Sequence, residues 1–248
     1  MLGNSNTHGS FLQPGECEWP VLVARAWEAS VHEPVECVNR TFMPMGAQAV
    51  PYARKLVDET DAELVVVPLV VYHCTVGWVS LKVRQRLGDR AFHWYRAVEG
   101  RLTGAGAPLG GSGSPPRSLG RRALRRIVGT ATHTTIDDVI ATYTELLHEL
   151  ARDEGRHVLV VGESHYGARV RAENPRLLSI LARVEAAIRP IVEHHRFLWA
   201  DVHPAYEAGG GTEACQAGDG IHANGTGHRI FAATVMHALE PVLAERAP

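Results

Sequence analysis

The chain has 248 residues, 45% hydrophobic and 21% charged, with a formal net charge of −2 at pH 7. That length suits one α/β domain whose core needs no covalent staples. The near-neutral balance excludes a global field for nucleic acid or an anionic membrane, and no stretch approaches the roughly 18 apolar residues of a membrane span.

Met1-Leu2-Gly3-Asn4 opens the chain without a basic region followed by an apolar run. This reads as a cytoplasmic chain, with secretion left open if translation begins further upstream. Glu18 to Ala29 reads as a helix, with Pro20 tolerated in its first turn. Val35 to Val38 is a short strand candidate, and Gly46 to Glu59 a second helix weakened by Pro51. Leu64 to Val71 is an almost unbroken apolar run, the pattern of a parallel strand buried on both faces. Val79 to Val98 reads as helix with a break at Gly88. Gly104 to Gly120, rich in glycine, proline and serine, reads as a surface insertion followed by basic Arg121, Arg122, Arg125 and Arg126.

Thr135 to Glu154 carries an apolar stripe of Ile136, Val139, Ile140, Tyr143, Leu147 and Leu150. His157 to Val161 is the next strand. Asn174-Pro175 opens a helix to about Glu193, Phe197 to Ala200 is a short strand, and Thr226 to Leu243 is the last helix. Alternating strands and helices imply a three-layer α/β/α sandwich around a central parallel sheet, flavodoxin-like, as a single domain over residues 1–248. Chemistry is then expected in the loops after the strands.

Cys17, Cys37, Cys74 and Cys215 include no C-x-x-C pair, so they carry neither a zinc nor a thioredoxin motif and are expected as free buried thiols. The 14 histidines show no His-Glu-x-x-His spacing, and His194, His195 and His203 form no metal motif. Trp78, Trp94 and Tyr95 are expected in core packing, with an acyl or sugar pocket as the other option.

Two blocks carry chemistry. The first is Gly3-Asn4-Ser5-Asn6-Thr7-His8-Gly9; the last is Asp219-Gly220-Ile221-His222, followed by Gly225, Gly227 and His228. A serine hydroxyl needs a base to take its proton, and His222 is a base three residues from a carboxylate, Asp219, that can orient it. Together these blocks resemble the SGNH (GDSL-type) hydrolases, with Asn4 standing where the family has Asp. The resemblance implies Ser5 as nucleophile and Asp219 and His222 completing a triad. It also implies a small-molecule carboxylic ester as substrate, an acyl-serine intermediate, and no cofactor or metal.

The family's oxyanion hole adds a Gly from a second block and an Asn from a third. Asn39 and Gly46 stand nearest the second block. Tyr72 occupies the third block's Asn position, followed by His73, so the hole is either rebuilt or weakened. Ser164, in Gly162-Glu163-Ser164, is a competing nucleophile that lacks the G-x-S-x-G spacing. An acyltransferase, or a ligand-binding protein of the same fold with weakened catalysis, are the alternative readings.

Overall fold

In a computed structural model of the chain, helices flank sheets made only of parallel strands. The structure describes residues 1–9, 11–75, 77–103, 127–153, 155–164 and 166–246, and the side chains of 99–103 are outside the description. The chain divides into two compact units, Met1–Val71 with Ile136–Pro248, and Tyr72–Thr135.

In the first unit, β1 (Leu2–Gly3) pairs with β2 (Arg40–Thr41), and β3 (Leu64–Pro68), β4 (His157–Val161) and β5 (Leu198–Ala200) form a second ladder. β1 packs beside β3, so the spatial order is β2, β1, β3, β4, β5. That is the doubly wound order whose chain reversal, between β1 and β3, leaves a crevice at the strand carboxyl ends.

Strand alternation sends side chains to two faces. Val66, Leu159, Val161 and Ala200 join one buried cluster with Trp19 and Trp27 of α1 (Trp19–Val31) and Phe231 and Val235 of a C-terminal helix. Val65, Val67, Val158 and Val160 are equally buried and point the other way. The other helical layer contains α2 (Ala49–Thr60), a helix over Ile136–Leu150 and one over Leu177–His194, which pack on one another. Each such buried valine or leucine contributes roughly 1.5–3 kcal/mol.

The second unit holds α3 (Tyr72–Thr75) and α4 (Val79–Thr103), and an isolated antiparallel bridge ties Trp78 to Ala131. Gly88 interrupts α4 at φ 81°, the break expected from the sequence. Trp94 is 69% exposed, so it is not a core residue; it lies on a helix whose mid-section is mostly open to solvent. The remaining helices are α5 (Ile136–Leu150), α6 (Ala168–Glu173), α7 (Leu177–His194), α8 (Val202–Ala208), α9 (Thr212–Cys215), α10 (Gly225–Ala238) and α11 (Glu240–Arg246). No helix among the described residues is long and apolar enough to cross a membrane.

Several expected boundaries move for identifiable reasons. Val35 to Val38 is not a strand; the ladder forms at Arg40–Thr41, where Arg40 N–H donates to Met1 O and Phe42 N–H to Gly3 O. A strand exists only where a partner offers its backbone, and β1 offers it there. The strand in Leu64–Val71 ends at Pro68: Leu69 N–H still donates to Val161 O, but the Val70 and Val71 N–H groups turn to side-chain acceptors. The last helix breaks at Leu239, just before Glu240-Pro241, since Pro241 has no N–H to continue it. All four cysteines are free, but only Cys74 and Cys215 are buried; Cys17 is half-buried and Cys37 exposed. The insertion at 104–120 and its four arginines lie outside the described residues.

Candidate active site

Ser5 sits in a 3-10 turn, Ser5–Thr7, directly after β1 and therefore at the carboxyl edge of the sheet. Asn4 caps that turn: its side-chain oxygen accepts Asn6 N–H at 2.8 Å and its carbonyl accepts Thr7 N–H at 2.9 Å. Thr7, fully buried, answers by accepting Asn4 N–H on its hydroxyl at 2.9 Å. The turn holds a reciprocal capping box in which an Asn stands in for the family's Asp. Within it no bond is spent on the Ser5 N–H, while the Ser5 side chain is exposed.

Asn39 fastens the turn from the β2 side. Its amide donates to Thr7 O at 2.7 Å and its oxygen lies 3.1 Å from the Thr7 hydroxyl. The other amide hydrogen faces His8 Nδ1, 3.5 Å away. Asn39 is thus an anchor of the Ser5–Thr7 turn, with its amide turned to Thr7 and His8. Gly3 leaves the room this requires, since a Cβ there would come within 2.1 Å of Asn39 Oδ1 and 2.2 Å of Thr7 Oγ1.

Asp219 and His222 lie on a tight loop closed by Ala217 N–H donating to His222 O at 2.7 Å and by a bridge between Gln216 and Ala223. Gly220 turns the loop at φ 70°, a conformation that costs glycine little. Asp219 Oδ1 accepts the N–H groups of Ile221 and His222 at 3.0 and 3.1 Å, and Oδ2 lies 2.5 Å from His222 Nδ1. Burial alone pushes the Asp219 carboxyl up, but the imidazole bond and the two backbone donors outweigh it and hold it below the ordinary carboxylate range. Phe11 stacks on the imidazole with centroids 4.5 Å apart. With Nδ1 committed to Asp219, Nε2 is the atom left to exchange a proton.

The two blocks, 217 residues apart, meet where Asn6 Oδ1 accepts Ala223 N–H at 2.9 Å. The side chain next to the serine is therefore bonded to the residue next to the histidine. Gly46, the other second-block residue, lies exposed in the loop before α2 at φ 79° with nothing within 4 Å of a Cβ. Tyr72 and His73 fall in the second unit. There they form an aromatic cluster with Trp78 and His133, and burial and His133 lower the His73 pKa.

Between β1, β3 and β4 a crevice is lined by Asn4, Asn6, Leu69, Glu163 and Ser164, among others. The structure therefore places Ser164 in the crevice wall, and it is 4% exposed. His228 is buried, accepts Trp19 N–H on Nδ1 at 3.0 Å, and is pushed by burial down to about 4. His195, far from these loops in sequence, pairs its Nε2 with His148 Nδ1 at 2.8 Å.

The chain has the fold of an acetylxylan esterase. Axe2, described as an acetylxylan esterase from Geobacillus stearothermophilus, superposes with a TM-score of 0.56 at 14% identity, covering 96% of this chain and 91% of Axe2. TesA gives 0.55 at 16% identity over 97% and 96% of the two chains. LAE5, described as an alpha/beta hydrolase enzyme from the metagenome of Lake Arreo, Spain, gives 0.53 at 16% over 95% and 91%. Two of the Axe2 structures are described as catalytic mutants, one with a serine and one with an aspartate changed to alanine. No family model and no curated protein matches the chain. The shared fold agrees with the SGNH-type architecture expected from the two motif blocks.

Asn6, Phe11 and Glu163 contribute here without a role expected from the sequence, and Asn39 contributes in a different one. Asn6 and Phe11 stand inside or beside the opening block, and an Asn next to Ser5 is a usable signal. Asn39's part as an anchor and Glu163's place in the crevice had no local signature, because both act on residues distant in sequence.

Proposed function

We propose that this chain is an SGNH-type serine esterase that hydrolyses small carboxylic esters through an acyl-serine intermediate. The observation that carries the reading is the Asp219–His222 pair, 2.5 Å apart on a closed loop that Asn6 docks beside Ser5.

In this reading His222 Nε2 takes the Ser5 proton as Oγ attacks the ester carbonyl. Asp219 fixes the tautomer and stabilises the imidazolium. The Ser5 N–H, and the Gly46 N–H as second donor, receive the oxyanion; one such donor is worth roughly 3–4 kcal/mol. Collapse expels the alcohol, which leaves with the proton from His222. Water then attacks the acyl-serine as His222 takes its proton, and the carboxylic acid departs as His222 returns that proton to Ser5 Oγ. No step calls for a cofactor or metal. The likeness to Axe2 favours acetyl esters of sugars as the first natural substrates to offer.

Turnover of p-nitrophenyl acetate by the wild type, Ser5→Ala, His222→Ala and Ser164→Ala tests this. The first two variants should lose at least about 1000-fold in kcat and the third should stay within about tenfold. Loss confined to Ser164→Ala would move the nucleophile, and absence of turnover by the wild type would end the esterase reading.

A further inference from the structure

We propose that Glu163 is a positioning residue for catalysis, its carboxylate clamping the loop after β3 so that this loop keeps its shape as a wall of the crevice. The inference rests on the esterase reading above.

In the family that the motif blocks resemble, Gly-x-Asn-Asp follows this strand; here Val70-Val71-Tyr72-His73 stands in its place, and Leu69, Val70 and Val71 are buried. Buried backbone N–H groups must find acceptors. Leu69 N–H donates to Val161 O at 2.8 Å, the last strand-like bond. Val70 N–H donates to the Tyr143 hydroxyl at 2.8 Å, which itself donates to Pro68 O at 3.0 Å. Val71 N–H donates to Glu163 Oε2 at 2.7 Å, and the other Glu163 oxygen accepts the Tyr166 hydroxyl at 2.6 Å. The loop is thus held by side chains of α5 and of the segment after β4. Of the two acceptors, Tyr143 is neutral and fully buried, while Glu163 lines the crevice and titrates.

As a carboxylate, Glu163 accepts both donors in charge-assisted bonds. Protonation turns one oxygen into a donor. Tyr166 can rotate its hydrogen and accept that donor, while the other oxygen still accepts the fixed Val71 N–H, so protonation replaces two charge-assisted bonds with weaker neutral ones and loosens the clamp. Burial pushes the carboxyl up to about 7, Glu185 of α7 adds to the rise, and the two donors oppose it. The groups facing Glu163 are Tyr166 beside it, Glu185 from α7, and the uncharged Asn4, Asn6 and Thr7 of the nucleophile turn. Arg189 and Asp201 stand one step further, beside Glu185.

The test uses Glu163→Gln and Glu163→Ala in the full chain, with two readouts. In 15N spectra the Val71 amide of the wild type should titrate with a midpoint near pH 7, and this transition should be gone in Glu163→Gln. The ratio of kcat/KM for p-nitrophenyl acetate, Glu163→Gln over wild type, cancels ionisations common to both. It should fall by about threefold or more between pH 6 and 8, because glutamine can keep both partners only through neutral bonds, whereas the carboxylate gains its charge-assisted bonds over that range. Glu163→Ala should be lower than wild type by about tenfold at pH 8, and if it does not fold, Glu163→Gln decides alone. A Val71 amide indifferent to pH, or a flat ratio in an active enzyme, overturns the clamp. If the wild type turns over no ester, the esterase reading fails by itself, and a Val71 amide that does not titrate then shows that the clamp has failed too.

Discussion

The opening turn and closing loop of this chain differ from the loop after β3 in how their shapes are specified. Residues 3–9 and 217–223 are shaped mainly by bonds between near neighbours: Asn4 with Asn6 and Thr7, Asp219 with Ile221 and His222, Ala217 with His222. The loop at 69–71 is shaped by Tyr143 and Glu163, which lie more than 70 positions away. The first pair resembles a known family almost residue for residue, while the third block departs from it completely. A wall held from outside can change its own residues so long as an acceptor waits for each N–H.

If that contrast is right, damage to the local blocks should cost most. His222→Ala and Ser5→Ala remove proton acceptor and nucleophile, with the losses given above. Asp219→Asn keeps the shape of the loop but favours the wrong imidazole tautomer. It should lower kcat by about 10²–10⁴-fold with little change in thermal stability, measured by ester turnover and melting. A variant that keeps most of its activity would detach Asp219 from the site.

The links joining the local blocks should cost less. Asn39→Ala removes the bond to Thr7 O and leaves a buried threonine beside a cavity. Expected are a stability loss of about 1–3 kcal/mol in urea unfolding and a fall in kcat of about tenfold. Unchanged stability would show that the turn holds itself. Glu163→Gln belongs at this level, with an effect that grows above pH 7.

The smallest effect concerns stability alone. Burial depresses His228 to about 4, whereas in the unfolded chain it binds a proton near its ordinary 6.5. Its contribution is therefore whole above pH 6.5 and drains away as pH falls towards 4, by roughly 3 kcal/mol at most. Urea midpoints at pH 7.5 and 5 should show this slope in the wild type and lose most of it in His228→Asn, which keeps an acceptor for Trp19 N–H. Equal slopes would place the acid sensitivity elsewhere.

The same contrast explains what was legible in the sequence. β4 matches its expected bounds, and α5 its apolar stripe, since both depend on strong local periodicity. Val35–Val38 has the composition of a strand, but the ladder forms where Leu2 and Gly3 pair with Arg40 and Thr41, and Val38 joins it through its carbonyl, which accepts the Met1 amino group at 2.7 Å. Pro241 is a local signal for the break in the last helix, legible in the sequence itself. Asn39 stood in the expected block with a different task, which depends on a threonine 32 positions away.

Covalent labelling tests the central claim most directly. After treatment with a fluorophosphonate, proteolysis and mass spectrometry should place the phosphonyl adduct on Ser5. The adduct should vanish in His222→Ala while the protein stays folded. An adduct on Ser164, or no serine adduct in an enzyme that still turns over ester, would contradict the account.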